Sequence, residues 1–163
     1  MAGFKSFKAL EAYLNNKIRN ALQSNDVIDQ VKQTMQENIL REVYMAYSPK
    51  VYQRRGNSGG LMADESITHD VLNSSTIAIY NIAKRNTSYA DTTYANPYLA
   101  PLIELGHKEA ENKGYQGYNY PFRYLAYFKP RPFIKETRNE LARTKKHVKA
   151  FQKSLKSLGI DSE

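Results

Sequence analysis

An α+β fold in two layers is what this 163-residue sequence predicts. Three observations carry it. Apolar residues recur at helical spacing near both ends, two short alternating segments lie between them, and loops rich in glycine and tyrosine join the parts. The order is helix, helix, hairpin, strand, helix. It reads as one domain over residues 1–163, with a helical part over 1–48, a small antiparallel β-sheet with long loops over 49–128, and a long basic helix over 129–159 packed on the sheet.

Phe4–Gln23 is predicted to be an amphipathic helix, because Phe7, Leu10, Leu14, Ile18, Ala21 and Leu22 share one face. Ser24-Asn25-Asp26 breaks it and offers an N-cap for a second helix. Val31, Met35, Ile39 and Val43 form the i+4 row of that helix, widened by Ile28, Leu40 and Ala46. It ends at Ser48-Pro49, since a residue before proline is pushed out of the helical region.

A basic, glycine-rich loop over Lys50–Asp64 then leads into a strand near Ser66–Leu72. Asn73-Ser74-Ser75 is a turn, and Thr76–Ala83 alternates, which completes a β-hairpin. Lys84–Asn96 and Lys108–Pro121 read as loops. Between them Pro97–Leu105 reads as a short helix stopped at Gly106, and Phe122–Phe128 as a further strand.

The final helix has the clearest pattern. Ile134, Thr137, Leu141, Thr144, Val148, Phe151, Leu155 and Leu158 step by three and four alternately, which is one helix stripe. Pro132 suits the first turn and Gly159 the residue beyond the end. An unbroken helix here would be a rod of roughly 40 Å. Between Lys129 and Leu158 ten basic residues face two acidic ones, so this segment alone carries +8, the formal charge of the whole chain.

The composition is that of an ordinary soluble globular domain, 41% hydrophobic and 25% charged. No apolar run approaches the length of a membrane span, and no secretory signal is visible at the start. With no cysteine, disulfides, thiolate metal sites and cysteine nucleophiles are excluded. Thirteen tyrosines and no tryptophan suit surfaces that become interfaces.

Catalytic patterns are missing. His69, His107 and His147 are scattered and read as surface residues. Glu104 lies in an apolar stretch and reads as a carboxylate paired with an arginine such as Arg123 or Arg131. Gly59-Gly60, beside Arg54 and Arg55, reads as a turn feeding a strand, because no phosphate-loop context follows. The basic helix has two readings of equal weight on charge alone: a solvated face, or one that tracks a phosphate backbone without reading bases. The second makes the chain a sequence-independent nucleic-acid-binding protein.

Five short segments, in order, carry a resemblance. They are Tyr47-Ser48-Pro49, Tyr52-Gln53-Arg54-Arg55, Gly59-Gly60-Leu61 with Asp64 and Ser66-Ile67, Leu102-Ile103-Glu104-Leu105-Gly106, and Pro130-Arg131-Pro132-Phe133 before a terminal helix. Over about residues 40–158 the chain resembles the head–tail joining (tail-completion, minor capsid) proteins of long-tailed bacteriophages. It departs from them in Met62, Ala63 and Asp64, where basic residues are common, and in the long loop Lys108–Tyr120.

The resemblance implies a structural virion protein without catalysis or cofactor, made in the host bacterial cytoplasm. It implies a homo-oligomeric ring, a hexamer or dodecamer, in the neck. Its partners would be portal or adaptor-side head proteins, tail tube or terminator proteins, and the DNA passing through the channel, with no membrane. Tyr52, Arg54, Arg55, Gly59, Gly60, Leu61, Tyr115 and Tyr118 would then meet neighbouring subunits. Glu104, Arg131 and Phe133 would anchor the last helix, and Lys145, Lys146 and Lys149 would line the channel.

Overall fold

A computed structural model describes residues 4–46, 48, 55, 58–84, 98–112 (backbone alone over 107–112) and 129–160. The elements are α1 (Phe7–Leu22), α2 (Asn25–Asn38), β1 (Ile67–Asn73), β2 (Thr76–Asn81), α3 (Ala100–Asn112), α4 (Phe133–Thr144) and α5 (Lys146–Ser157). A π-helical turn, Ile39–Tyr44, continues α2, and a 3₁₀ turn, Asp64–Ser66, precedes β1. The fold is α+β: helices at both ends of the chain and an antiparallel two-stranded sheet between them.

Each element has a local cause. Ser6 caps α1 by accepting from Ala9 N at 3.2 Å. In the hairpin turn, Asn73 Oδ1 accepts from Ser75 N at 2.9 Å, an Asx turn that reverses the chain between the strands. The register pairs Ile67 with Asn81 and His69 with Ile79, so Ile67, Ile79 and Asn81 share the inner face. Ile67 and Asn81 are buried there.

The core lies where the end of α2, the hairpin base and the starts of α3 and α4 meet. Met35, Ile39, Val43, Leu61, Ile67, Ala83, Ala100, Ile103 and Phe133 form it. Phe133, with no exposed surface, is its largest fully buried side chain. A second packed region joins α1, α2 and α5 through Ala21, Val27, Ile28 and Leu155, all buried. There α2 and α5 run antiparallel: Lys153 reaches Asp26 at 3.2 Å near one end, and Lys146 reaches Glu37 at 3.8 Å near the other.

Three expectations change. The terminal helix is two helices of 12 residues each, because Lys145 takes a left-handed conformation, φ 56° and ψ 21°. Each half spans about 18 Å, and the single rod does not form. Thr144 Oγ1 turns back to the Glu140 carbonyl at 2.8 Å, a side-chain bond that competes with the helix ladder just before the break. The break lets both halves lie against α2.

Second, Gly106 does interrupt α3, at φ 70° and ψ 170°, a conformation that favours glycine, yet helix resumes beyond it to Asn112. The start of the Lys108–Pro121 segment is therefore helical. Third, the second helix, expected to continue to Ser48-Pro49, is α-helical only to Asn38: beyond it the helix widens, and Met45 N donates to Leu40 O at 2.9 Å across five residues. The strand read over Phe122–Phe128, and the loop Lys84–Asn96 beyond Lys84, lie outside the described residues.

Candidate functional site

The anchor of the last helix can be built atom by atom. Helix α4 starts at Phe133 with Pro132 at its N-cap position, and proline has no side chain that caps. The first N–H groups of the helix therefore need an outside acceptor. Glu104 supplies it from α3: Oε2 accepts from Ile134 N at 2.8 Å and Oε1 from Lys135 N at 3.0 Å. A carboxylate here also meets the positive end of the helix dipole. Next to it Arg131 N donates to Ile103 O at 2.8 Å, so backbone bonds on both sides of Phe133 fix its ring in the core. Glu104 thus holds two backbone amides of α4, a role that an arginine-partner reading of the sequence does not contain.

The glycine corner is held from within the subunit. Gly59 sits at φ 63°, and its N–H donates to Glu65 Oε1 at 2.7 Å. That bond keeps the Glu65 carboxyl below the usual carboxylate range. The Arg55 guanidinium donates to the Lys84 carbonyl. Leu61, 5% exposed, belongs to the core, and its carbonyl accepts from Asn81 Nδ2 at 2.7 Å. Gly60 is buried as well. Leu61 and Gly60 are therefore buried within the subunit itself. Arg55 is exposed and Gly59 half-buried. Tyr52, Arg54, Tyr115 and Tyr118 lie outside the described residues.

The three lysines differ from one another. Lys145 and Lys149 are exposed. Lys146 points into an acidic cluster, 3.6 Å from Glu140 Oε1 and 3.8 Å from Glu37 Oε2. Glu140, 13% exposed at its side chain, also accepts from Asn38 Nδ2 at 3.0 Å and lies 3.6 Å from Arg41 Nη2. The Asn38 bond first, then Lys146 and Arg41, hold its carboxyl below the ordinary range. Asn38 is fully buried at the junction of α2 and the π-helical turn; its amide also donates to Thr34 O at 2.8 Å, and its oxygen accepts from Arg41. Lys146 thus braces α5 against α2 and α4. The exposed basic residues of α4, α5 and their junction are Lys135, Arg138, Arg143, Lys145, Lys149, Lys153 and Lys156.

Two surfaces escape a reading by periodicity. From Phe4 to Asn16 every residue except Leu10 is exposed, with Phe7 at 83%. The apolar stripe of α1 is present, but its first half stays largely exposed, with Phe4 against Tyr13 at 5.1 Å between ring centroids. Val71 and Leu72, at the hairpin tip, are also exposed, Leu72 at 63%. Among the described residues no group of three or more His, Asp or Glu could hold a metal ion, and no helix is long and apolar enough to cross a membrane.

Comparison with known proteins places these features in a family. The YomN family profile matches residues 6–157. The chain is 32% identical over 162 residues to the SPbeta prophage-derived protein YomN of Bacillus subtilis (strain 168), covering 98% of this chain and 99% of that one. No solved structure matches the chain significantly.

Proposed function

The chain belongs to the YomN family, and from that premise we propose that it is a structural protein of a bacteriophage particle, a subunit of the neck ring that joins head to tail around the DNA exit channel. The observation that carries this reading is the end-to-end match to a prophage-derived protein, taken with the ordered segments that resemble head–tail joining proteins. Two further features support it. The subunit exposes apolar side chains at α1 and at the hairpin tip, as expected of a part that is finished only by its neighbours. The exposed basic residues of α4 and α5 suit contact with phosphates without base readout.

In this account Lys145 and Lys149 belong to the DNA-facing side, whereas Lys146 is structural. Portal or adaptor proteins would lie above the ring, and tail tube or terminator proteins below it. Deleting the gene from an inducible prophage that carries it tests the proposal. Filled heads and separate, intact tails are the result expected. Normal numbers of joined, infectious particles would refute it.

A further inference from the structure

We propose that the exposed half of α1 in one subunit receives the hairpin tip of the next, a head-to-tail contact between copies of this chain; it rests on the ring reading and specifies which surfaces close the ring. Four observations lead to it.

First, the exposed stretch of α1 has, among the described residues, little support beyond its own Phe4–Tyr13 and Lys17–Tyr13 ring contacts. Phe7, Leu10 and Leu14 keep helical spacing, and Ser6 caps the start, yet the packing of α1 begins only further along, at Lys17, whose Nζ donates to Leu158 O at 2.9 Å, and at Ala21. Ten residues of helix are marginal in water when nothing covers their apolar side. Second, the hairpin tip repeats the situation in β-structure: Val71 and Leu72 are exposed on a two-stranded sheet, which needs packing to persist.

Third, the charges are opposite. The exposed part of α1, residues 4–16, holds Lys5 and Lys8 against Glu11, a net +1. The hairpin from Ile67 to Asn81 holds Asp70, next to the tip, and no lysine or arginine, a net −1. Two copies of α1 set face to face would repel, and so would two hairpins, whereas α1 on a hairpin attracts.

Fourth, α1 leaves the subunit at one end of α2, and the hairpin is rooted at the other. Ser24 meets Ser154 at 2.7 Å and Lys17 meets Leu158, so α1 leaves the body past the C-terminal end of α5. The base of the hairpin is at the other end of α2, where Gln36 donates to Asp64 at 2.7 Å. Asp26 and Gln36 are about 15 Å apart along that helix. Two different surfaces of one subunit that fit each other make a heterologous contact, which closes into a ring when its rotation allows.

The absence of native cysteine makes the test direct. Phe7→Cys and Leu72→Cys are made separately in the full chain; both sites are exposed, and circular dichroism checks each fold. The variants are treated with a short bismaleimide, alone and mixed, as concentrated protein and in purified particles. The mixture is expected to give a covalent dimer that neither variant gives alone, with its yield falling as salt rises. The double variant should give a ladder. A dimer from Phe7→Cys alone would place two α1 helices on a two-fold axis and overturn the proposal. Oligomers, or particles containing the protein, without a 7–72 cross-link would overturn this contact and leave the ring reading standing. A 7–72 cross-link in a protein missing from particles would support the contact and refute the neck. A chain that is monomeric at every concentration and missing from particles would refute both.

Discussion

The Glu104 carboxylate caps a helix that begins 29 residues later: its Oε2 stands 2.8 Å from the amide nitrogen of Ile134, and its Oε1 3.0 Å from that of Lys135. This contact ties α3 to α4 and closes the core over Phe133. Glu104→Ala should lower stability by about 1–2 kcal/mol, a typical loss for a cap with a dipole contribution. Glu104→Gln should recover part of it, since an amide oxygen still accepts. Urea unfolding of the three proteins measures the difference. Equal midpoints for wild type and Glu104→Ala would show that the amides find another acceptor.

Phe133 fills the centre of that core with no surface exposed. Phe133→Ala should cost about 3–5 kcal/mol, and Phe133→Leu clearly less, because the cavity it leaves is smaller. Thermal melting gives the order. An unchanged melting temperature for Phe133→Ala would contradict the packing around Met35, Ile39 and Ile103.

Much of this architecture was legible in the sequence, and the missing parts share one character. The hairpin could be read because Asn73-Ser74-Ser75 is a local turn signal between alternating segments. The start of α4 could be read from Pro132, and part of the buried side of α4 and α5 from the Ile134 to Leu158 stripe, in which Thr137 and Leu155 are buried and Val148 is exposed. The Glu104 cap joins residues distant in sequence, and no local pattern records it. The break at Lys145 has neither glycine nor proline to announce it; with it, both short helices lie against α2, a contact with residues distant in sequence. Leu61 looked like a loop residue because its burial depends on Ile67, Asn81 and Ala83, which come later in the chain. The α1 stripe misled in the opposite sense: apolar spacing shows that a face exists, and what covers it is a separate matter.

Lys145 tests the break itself. A non-glycine residue in the left-handed region carries a cost of about 1–2 kcal/mol. Lys145→Gly should therefore raise stability by about 0.5–1 kcal/mol, after allowing for the greater freedom of glycine in the unfolded chain. In an unbroken helix the same change would lower it by about 1 kcal/mol. The sign of the shift in the urea midpoint separates the two.

The Glu140 cluster sets an acid limit. Its carboxyl is held below the ordinary range in the folded chain, so the stability it contributes is present above the unfolded value. That contribution is lost as pH falls through the folded value, mostly below about pH 5. Glu140→Gln should be weaker than wild type at pH 7 by about 1–3 kcal/mol. The gap should shrink on acidification, because the wild type then loses what the variant never had. A gap independent of pH from 7 to about 3 would show that the charge on Glu140 contributes nothing.

Whether this chain is part of a phage neck is tested most directly by reconstruction of the neck from purified particles by electron cryomicroscopy. The prediction is a closed ring of this subunit between head and tail, with α4 and α5 toward the channel and α1 of each copy against the hairpin of the next. Particles with a complete neck in which no density fits this chain would contradict it.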